Sequence, residues 1–196
     1  MVLLLDNHDS FTWNLAELLR TTGNADFEIV SSTEFRISRI SQYSHIIFSP
    51  GPGLPAEQPA MLRILGELET RSKNGEAIPS VLGVCLGMQA IAIHFGGNLI
   101  NLPTVIHGQP RKLHILKPHH PIFTGIPNHS EVGLYHSWAV DPATLPQCLV
   151  NLAITDDGTI MALAHKTLPV VGVQFHPESV ITHDGKKMVE NWLAGR

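Results

Sequence analysis

Apolar residues in this chain recur with two different periods. Residues 2–5 (Val-Leu-Leu-Leu) form an unbroken run ending at Asp6, and 27–30, 45–48 (His-Ile-Ile-Phe) and 81–84 are further short apolar stretches. Stretches of this length, flanked by turn residues, predict strands, and unbroken ones predict burial on both faces of a parallel sheet. Between them the period lengthens to that of a helix. Phe11, Leu15, Leu18 and Leu19 share one stripe, with Asp9 or Ser10 available as a cap and Gly23 as a stop. Pro59 opens a second helix with Met61, Leu62, Leu65 and Leu68 on its apolar face, and Asn74-Gly75 ends it. A third, 86–95, runs to Gly96-Gly97 and is apolar nearly all round, which predicts burial in the middle of the molecule.

This alternation predicts an α/β fold with a doubly wound, mostly parallel central sheet flanked by helices. After residue 98 the pattern changes to extra short β segments near 98–101, 113–116, 134–140, 149–155, 160–166 and 170–175. Pro, Gly, Asn and Asp turns such as Asp156-Asp157-Gly158 separate them. A last helix, near 184–194, carries Met188, Val189, Trp192 and Leu193 on one face. No linker, repeat or low-complexity stretch divides the chain, so 1–196 is expected to be one domain.

Composition narrows the partners. With 43% apolar and 15% charged residues and a net charge of -4, the chain is an ordinary folded one. Without a Lys/Arg block it lacks the footprint of a nucleic-acid or anionic-membrane binder, and its apolar runs are too short to span a bilayer. The opening Met-Val-Leu-Leu-Leu-Asp has no basic region or cleavage site, which gives a cytoplasmic expectation. Two cysteines, Cys85 and Cys148, are too few for a disulfide framework. The twelve histidines offer no HxxxH spacing and the cysteines no CxxC, so no metal site is predicted, and His119-His120, between two prolines, reads as a surface turn.

Three short stretches carry candidate chemistry. Gly83-Val84-Cys85-Leu86-Gly87 places a thiol between glycines at a strand-to-helix junction, the layout of a nucleophile presented on a sharp turn. The glycines would permit the strained turn and close approach of a substrate. By itself the pentapeptide equally fits a buried structural cysteine. Phe175-His176-Pro177-Glu178-Ser179 follows an apolar run and so falls at a strand's carboxyl end, where α/β active sites collect. His176 would take the Cys85 proton and Glu178 would fix its tautomer, or the two would be a turn histidine and a solvated charge. Ser49-Pro50-Gly51-Pro52-Gly53, after strand 45–48, is either a tight turn or a loop exposing backbone N–H groups to an oxyanion.

Taken together and in this order, Ser-Pro-Gly-Pro-Gly, Gly-Val-Cys-Leu-Gly-Met-Gln and Val-Gln-Phe-His-Pro-Glu-Ser resemble the class I, triad-type glutamine amidotransferases, whose fold is flavodoxin-like. The opening Asp6-Asn7-His8-Asp9-Ser10-Phe11-Thr12-Trp13-Asn14-Leu15, with His107-Gly108 and Tyr135-His136-Ser137-Trp138, is similar to the small subunit (component II) of anthranilate synthase or of aminodeoxychorismate (para-aminobenzoate) synthase. The resemblance spans residues 2 to 193. It implies a Cys85–His176–Glu178 triad that hydrolyses L-glutamine through a γ-glutamyl thioester. It implies an oxyanion site at the N–H groups of Gly53 and Leu86, in a substrate region of Gly51, Pro52, Gly53, Gln89, Ser137 and Trp138. Ammonia would pass to a large, chorismate-aminating synthase subunit holding Mg2+, with no cofactor or metal on this chain. The helix after Ser10 and the PGPG loop would lie near that partner. Met88, Gln109 and Leu134 depart from the family's His, Lys and Arg; the last two remove cations that could meet an acidic partner surface. Cys148 is assigned no role.

Two other functions compete. A stand-alone γ-glutamyl hydrolase would use the same Cys85 and His176, against which the Asp-Asn-x-Asp-Ser-Phe-Thr opening and Gln89 count. A non-catalytic regulatory module would have no need of an intact Cys85, His176 and Glu178.

Overall fold

The computed structural model describes residues 1–23 and 26–195. Its strands are β1 (Val2–Asp6), β2 (Phe27–Ser31), β3 (His45–Phe48), β4 (Ser80–Val84), β5 (Leu99–Lys112), β6 (His114–Ile115), β7 (Glu131–Val140), β8 (Leu149–Ile154), β9 (Ile160–His165) and β10 (Val170–Val173). Eight form one sheet in the order β2-β1-β3-β4-β10-β9-β8-β6. The first five in that order pair in parallel, and β9, β8 and β6 extend the sheet with antiparallel pairings.

Both faces of the inner parallel strands are covered, which explains why they read as apolar runs; the edge strand β2 is half-buried and carries Glu28. Successive residues of a strand point to opposite sides. Val2 and Leu4 therefore join the core under α1 (Phe11–Thr21) and α4 (Gly185–Ala194), with Leu15, Leu19, Met188 and Trp192. Leu3 and Leu5 join the opposite core under α2 (Pro59–Lys73) and α3 (Leu86–His94), with Phe48, Met61, Ile64 and Ile91. Each fully buried Leu contributes about 1.5–3 kcal/mol. In α3 every residue from Leu86 to Ala92 is buried, as its all-round apolarity predicts. Of the two candidate caps of α1, Asp9 serves: its Oδ1 accepts from the Phe11 N–H at 2.7 Å, whereas Ser10 makes no side-chain cap bond.

The C-terminal half differs from expectation at one place. The predicted segment 98–101 is the start of a 14-residue strand, β5, which pairs antiparallel with β7 in a separate two-stranded ribbon. Its register shifts between Asn101 and Ile106 and again between His107 and Gln109. Most of β5 is exposed and it contains Pro103 and Pro110, so no apolar alternation marks it. The partner strand makes it a strand, and β7 begins only at Glu131, well after β5 has ended at Lys112.

Candidate active site

β4 and β10 lie side by side with Val84 opposite Val173. The next residues, Cys85 and Gln174, are therefore neighbours across the strand ends, and the Cys85 N–H donates to the Val173 carbonyl at 2.8 Å. Cys85 has φ 52° and ψ -101°, a conformation that costs a non-glycine residue about 1–3 kcal/mol and holds only where its surroundings enforce it. The strain lies on Cys85, not on the flanking glycines, which instead permit close packing. A Cβ on Gly83 would stand 2.5 Å from the Gly87 carbonyl carbon, and one on Gly87 would stand 2.7 Å from the Phe48 Cβ. Both glycines let the first turn of α3 sit flush against β3 and β4, which fixes the place of the buried sulfur.

His176 and Glu178 meet in a buried pair. Nδ1 of the imidazole lies 2.7 Å from the Glu178 Oε1, with side-chain exposures of 2% and 0%. Rings of Phe11 and Tyr135 wall the imidazole at centroid separations of 4.7 and 4.9 Å. Burial by itself favours the neutral ring, but the Cys85 sulfur and the Glu178 carboxylate outweigh it and lift the His176 pKa to about 10. Nε2 has no formed hydrogen bond; the sulfur acts on it as a close neighbour, and the raised pKa places a proton on that nitrogen, ready to be given up. The turn carrying both residues is clamped: the Thr182 hydroxyl donates to the His176 carbonyl at 2.7 Å and accepts from the Gly133 N–H at 3.0 Å.

A cavity of about 200 Å3 opens beside the sulfur, lined by Gly51, Pro52, Gly53, Cys85, Leu86, Gln89, Tyr135, His136, Ser137 and Trp138. Every substrate- and oxyanion-site residue expected from sequence lines it. It is smaller than the about 300–1,000 Å3 of a drug-sized site. The PGPG loop is pinned from beneath: the Asn7 N–H donates to the Ser49 Oγ at 2.9 Å, and its Nδ2 to the Ser49 carbonyl at 2.8 Å. A Cβ on Gly51 would meet Leu86 Cδ2 at 2.7 Å, so loop and helix touch. Gly53 has φ +74°, which favours glycine. Across the cavity the Trp138 carbonyl accepts from Gln89 Nε2 and His136 Nδ1, both at 2.9 Å. Gln89 Nε2 also donates to Gln174 Oε1 at 3.2 Å, and Gln174 Nε2 to the Cys85 sulfur at 3.4 Å. Burial lowers the His136 pKa, with a smaller contribution from His176.

Gln174, the Asn7–Ser49 clamp and the walls formed by Phe11 and Tyr135 were not foreseen from the sequence. Gln174 left a signal, a polar residue between apolar Val173 and Phe175 at a strand end; the others become neighbours only through long-range packing. Leu134 requires a correction. It is 1% exposed, so its side chain is part of the core and offers no surface to a partner. Gln109 is exposed on β5, its Oε1 accepting from the Arg111 guanidinium at 2.9 Å. Met88 is buried against Gly172, whose added Cβ would meet its Cγ at 2.8 Å. Cys148 packs at the edge of the α2/α3 core.

A family model described as glutamine amidotransferase class-I matches residues 3–195. Over 193 residues the chain is 40% identical to a candidate anthranilate synthase component II of Haemophilus influenzae, covering 98% of this chain and 95% of that protein. It is 38% identical to the aminodeoxychorismate/anthranilate synthase component 2 of Bacillus subtilis, covering 98% and 95%. Among solved structures, a candidate GMP synthase protein of Thermoplasma acidophilum superposes with a TM-score of 0.80 at 25% identity, covering 98% of this chain and 92% of that one.

Proposed function

The chain belongs to the class I glutamine amidotransferases, and on that premise we propose that it is the glutaminase subunit of a chorismate-aminating synthase, for anthranilate or 4-amino-4-deoxychorismate. The observation that carries the chemistry is Cys85, on its strained turn, facing a His176 whose Nε2 is unengaged and whose Nδ1 is held by Glu178. Similarity to component II proteins supports the choice of partner.

In this reading His176 Nε2 already holds the Cys85 proton, as its raised pKa implies, and the Cys85 thiolate attacks the side-chain amide carbon of L-glutamine. The N–H groups of Gly53 and Leu86 receive the oxyanion. Collapse breaks the C–N bond, and His176 returns the proton to the departing ammonia. A γ-glutamyl thioester remains. Water, deprotonated by His176, attacks it, the C–S bond breaks, and glutamate leaves. Glu178 accepts from Nδ1 throughout and fixes the tautomer. Because the Gln89 N–H is engaged with Trp138 and Gln174, its Oε1 is the atom left to accept from the α-ammonium group, with the backbone of Ser137 and Trp138 completing that region.

Ammonia then travels to the large subunit, where chorismate is aminated with Mg2+; among the described residues no group of three or more His, Cys, Asp or Glu converges as a metal site. Partner contact at α1 has a direct route to the site, since exposed Trp13 lies one half-turn from Phe11, which touches the imidazole. No described helix is long and apolar enough to cross a membrane.

A glutaminase assay with and without the large subunit tests the proposal. Low activity alone and a rise on adding the partner are expected; full activity alone on γ-glutamyl peptides would instead support a free-standing hydrolase, and no turnover a regulatory module. Cys85→Ser should abolish glutamine-dependent amination and leave ammonia-dependent amination by the complex. Labelling by a glutamine-analogue electrophile should fall on Cys85 and spare Cys148.

A further inference from the structure

Gln174 is fully buried, has no task in the steps above, and yet touches the reacting sulfur. Its orientation follows from one carbonyl. The Trp138 oxygen can only accept, so the Gln89 atom beside it is the NH2 group. That NH2 group also faces Gln174, which must then present its oxygen. The other end of the Gln174 amide, aimed at Cys85, is therefore its NH2 group, a donor. The backbone holds the arrangement, because the Gln174 N–H donates to the Met161 carbonyl at 2.8 Å and Cys85 is tied to Val173 beside it. A donor at the sulfur favours its anionic form, and a hydrogen bond to a charged acceptor is about twice as strong as one between neutral groups.

We propose that Gln174 is a catalytic residue whose side-chain N–H stabilises negative charge on the Cys85 sulfur, and that Gln89 holds this donor in place. The inference rests on Cys85 being the nucleophile. In the first half of the reaction the sulfur, its proton held by His176, carries the charge until it forms the S–C bond. In the second, water adds to the thioester, the C–S bond breaks, and the electron pair returns to sulfur. The Gln174 N–H faces the sulfur at both moments when it carries the charge, and donates to it without giving up its proton.

The test is Gln174→Met, which keeps the volume and removes the donor. Alkylation of Cys85 by iodoacetamide at pH 7, followed by mass spectrometry, should slow about fivefold or more. This allows for the lost hydrogen bond to a charged sulfur and for the partial offset from greater intrinsic nucleophilicity. Glutaminase kcat, measured in the complex with the large subunit, should fall by a similar factor, with a smaller change in glutamine KM. A merely structural role would loosen the site, expose the sulfur and speed alkylation, which is the opposite sign. If the variant folds poorly, the unsubstituted protein still decides: NMR signals of the Gln174 side-chain amide should shift when Cys85 is alkylated, and those of Gln42, before the opposite end of β3, should not. Alkylation and kcat at wild-type rates, or an unresponsive Gln174 amide, would overturn the inference. Should Cys85→Ser still hydrolyse glutamine, the nucleophile assignment fails instead, which separates the two.

Discussion

Gly87→Ala is the sharpest probe of how the fold aims Cys85. The new methyl would stand 2.7 Å from the Phe48 Cβ and 2.8 Å from the Phe48 carbonyl oxygen. Carbon atoms at rest lie about 3.5–4.0 Å apart, so the first turn of α3 must move by roughly 0.8 Å. Phe48 is fully buried and belongs to the central sheet, so the helix yields first. Overpacking of this kind costs about 1–3 kcal/mol, and alanine's better helix propensity returns about 0.5–1 kcal/mol. The net loss, up to about 2.5 kcal/mol, lowers the melting temperature of a chain of this size by up to about 10 °C. The larger effect falls on turnover, because the same turn carries Cys85 and the Leu86 N–H, and a displacement near 1 Å costs on the order of 100-fold. Melting curves and glutaminase kcat with the large subunit measure the two. Gly66→Ala is the control: its methyl would meet only His94 Cε1, at 3.8 Å, within α2. It should raise stability by about 0.4–1 kcal/mol and leave kcat alone. If Gly87→Ala keeps wild-type kcat and melting temperature, close packing at Gly87 does not position the sulfur.

Glu178→Gln should lower kcat less than His176→Ala, since it disturbs the orientation and charge of the imidazole but leaves the base in place; equal or greater damage would reassign the roles. Burial lowers the His136 pKa from 6.5 in the folded protein, so unfolding takes up protons as pH falls below that value. The melting temperature should therefore drop as pH falls below about 6.5, and drop less in His136→Asn, which retains a donor toward Trp138; identical slopes would exclude His136 as a source. Leu134→Arg should destabilise the isolated chain by about 2–4 kcal/mol in denaturant titrations, by burying a cation in the core, whereas exposed Gln109→Lys should change stability by less than about 0.5 kcal/mol.

Legibility followed range. Most of the parallel strands and the four α-helices among the described residues were readable because each buries a continuous face, leaving an apolar period that survives without knowledge of neighbours. β5 was not, because exposed residues and two prolines erase its period and only β7 makes it a strand. The role of Gly83 and Gly87 was half readable: two glycines beside Cys85 announce a constraint, but the sequence does not say whether it is a torsion angle or a contact. The structure assigns the torsion to Cys85 and the contact to the glycines. Leu134 shows the converse error, since a residue type missing a cation says nothing of the direction its side chain points.

By itself the sequence determined the class of the fold, the family, and the residue types around one small cavity, since motif order and apolar period are local records. Only the tertiary structure decided which polar groups share a hydrogen bond. Cys85 and Gln174 are eighty-nine residues apart, and they face each other because β4 and β10 pair in a particular register. Register is a property of two strands at once, so the donor at the sulfur could not be read from either alone.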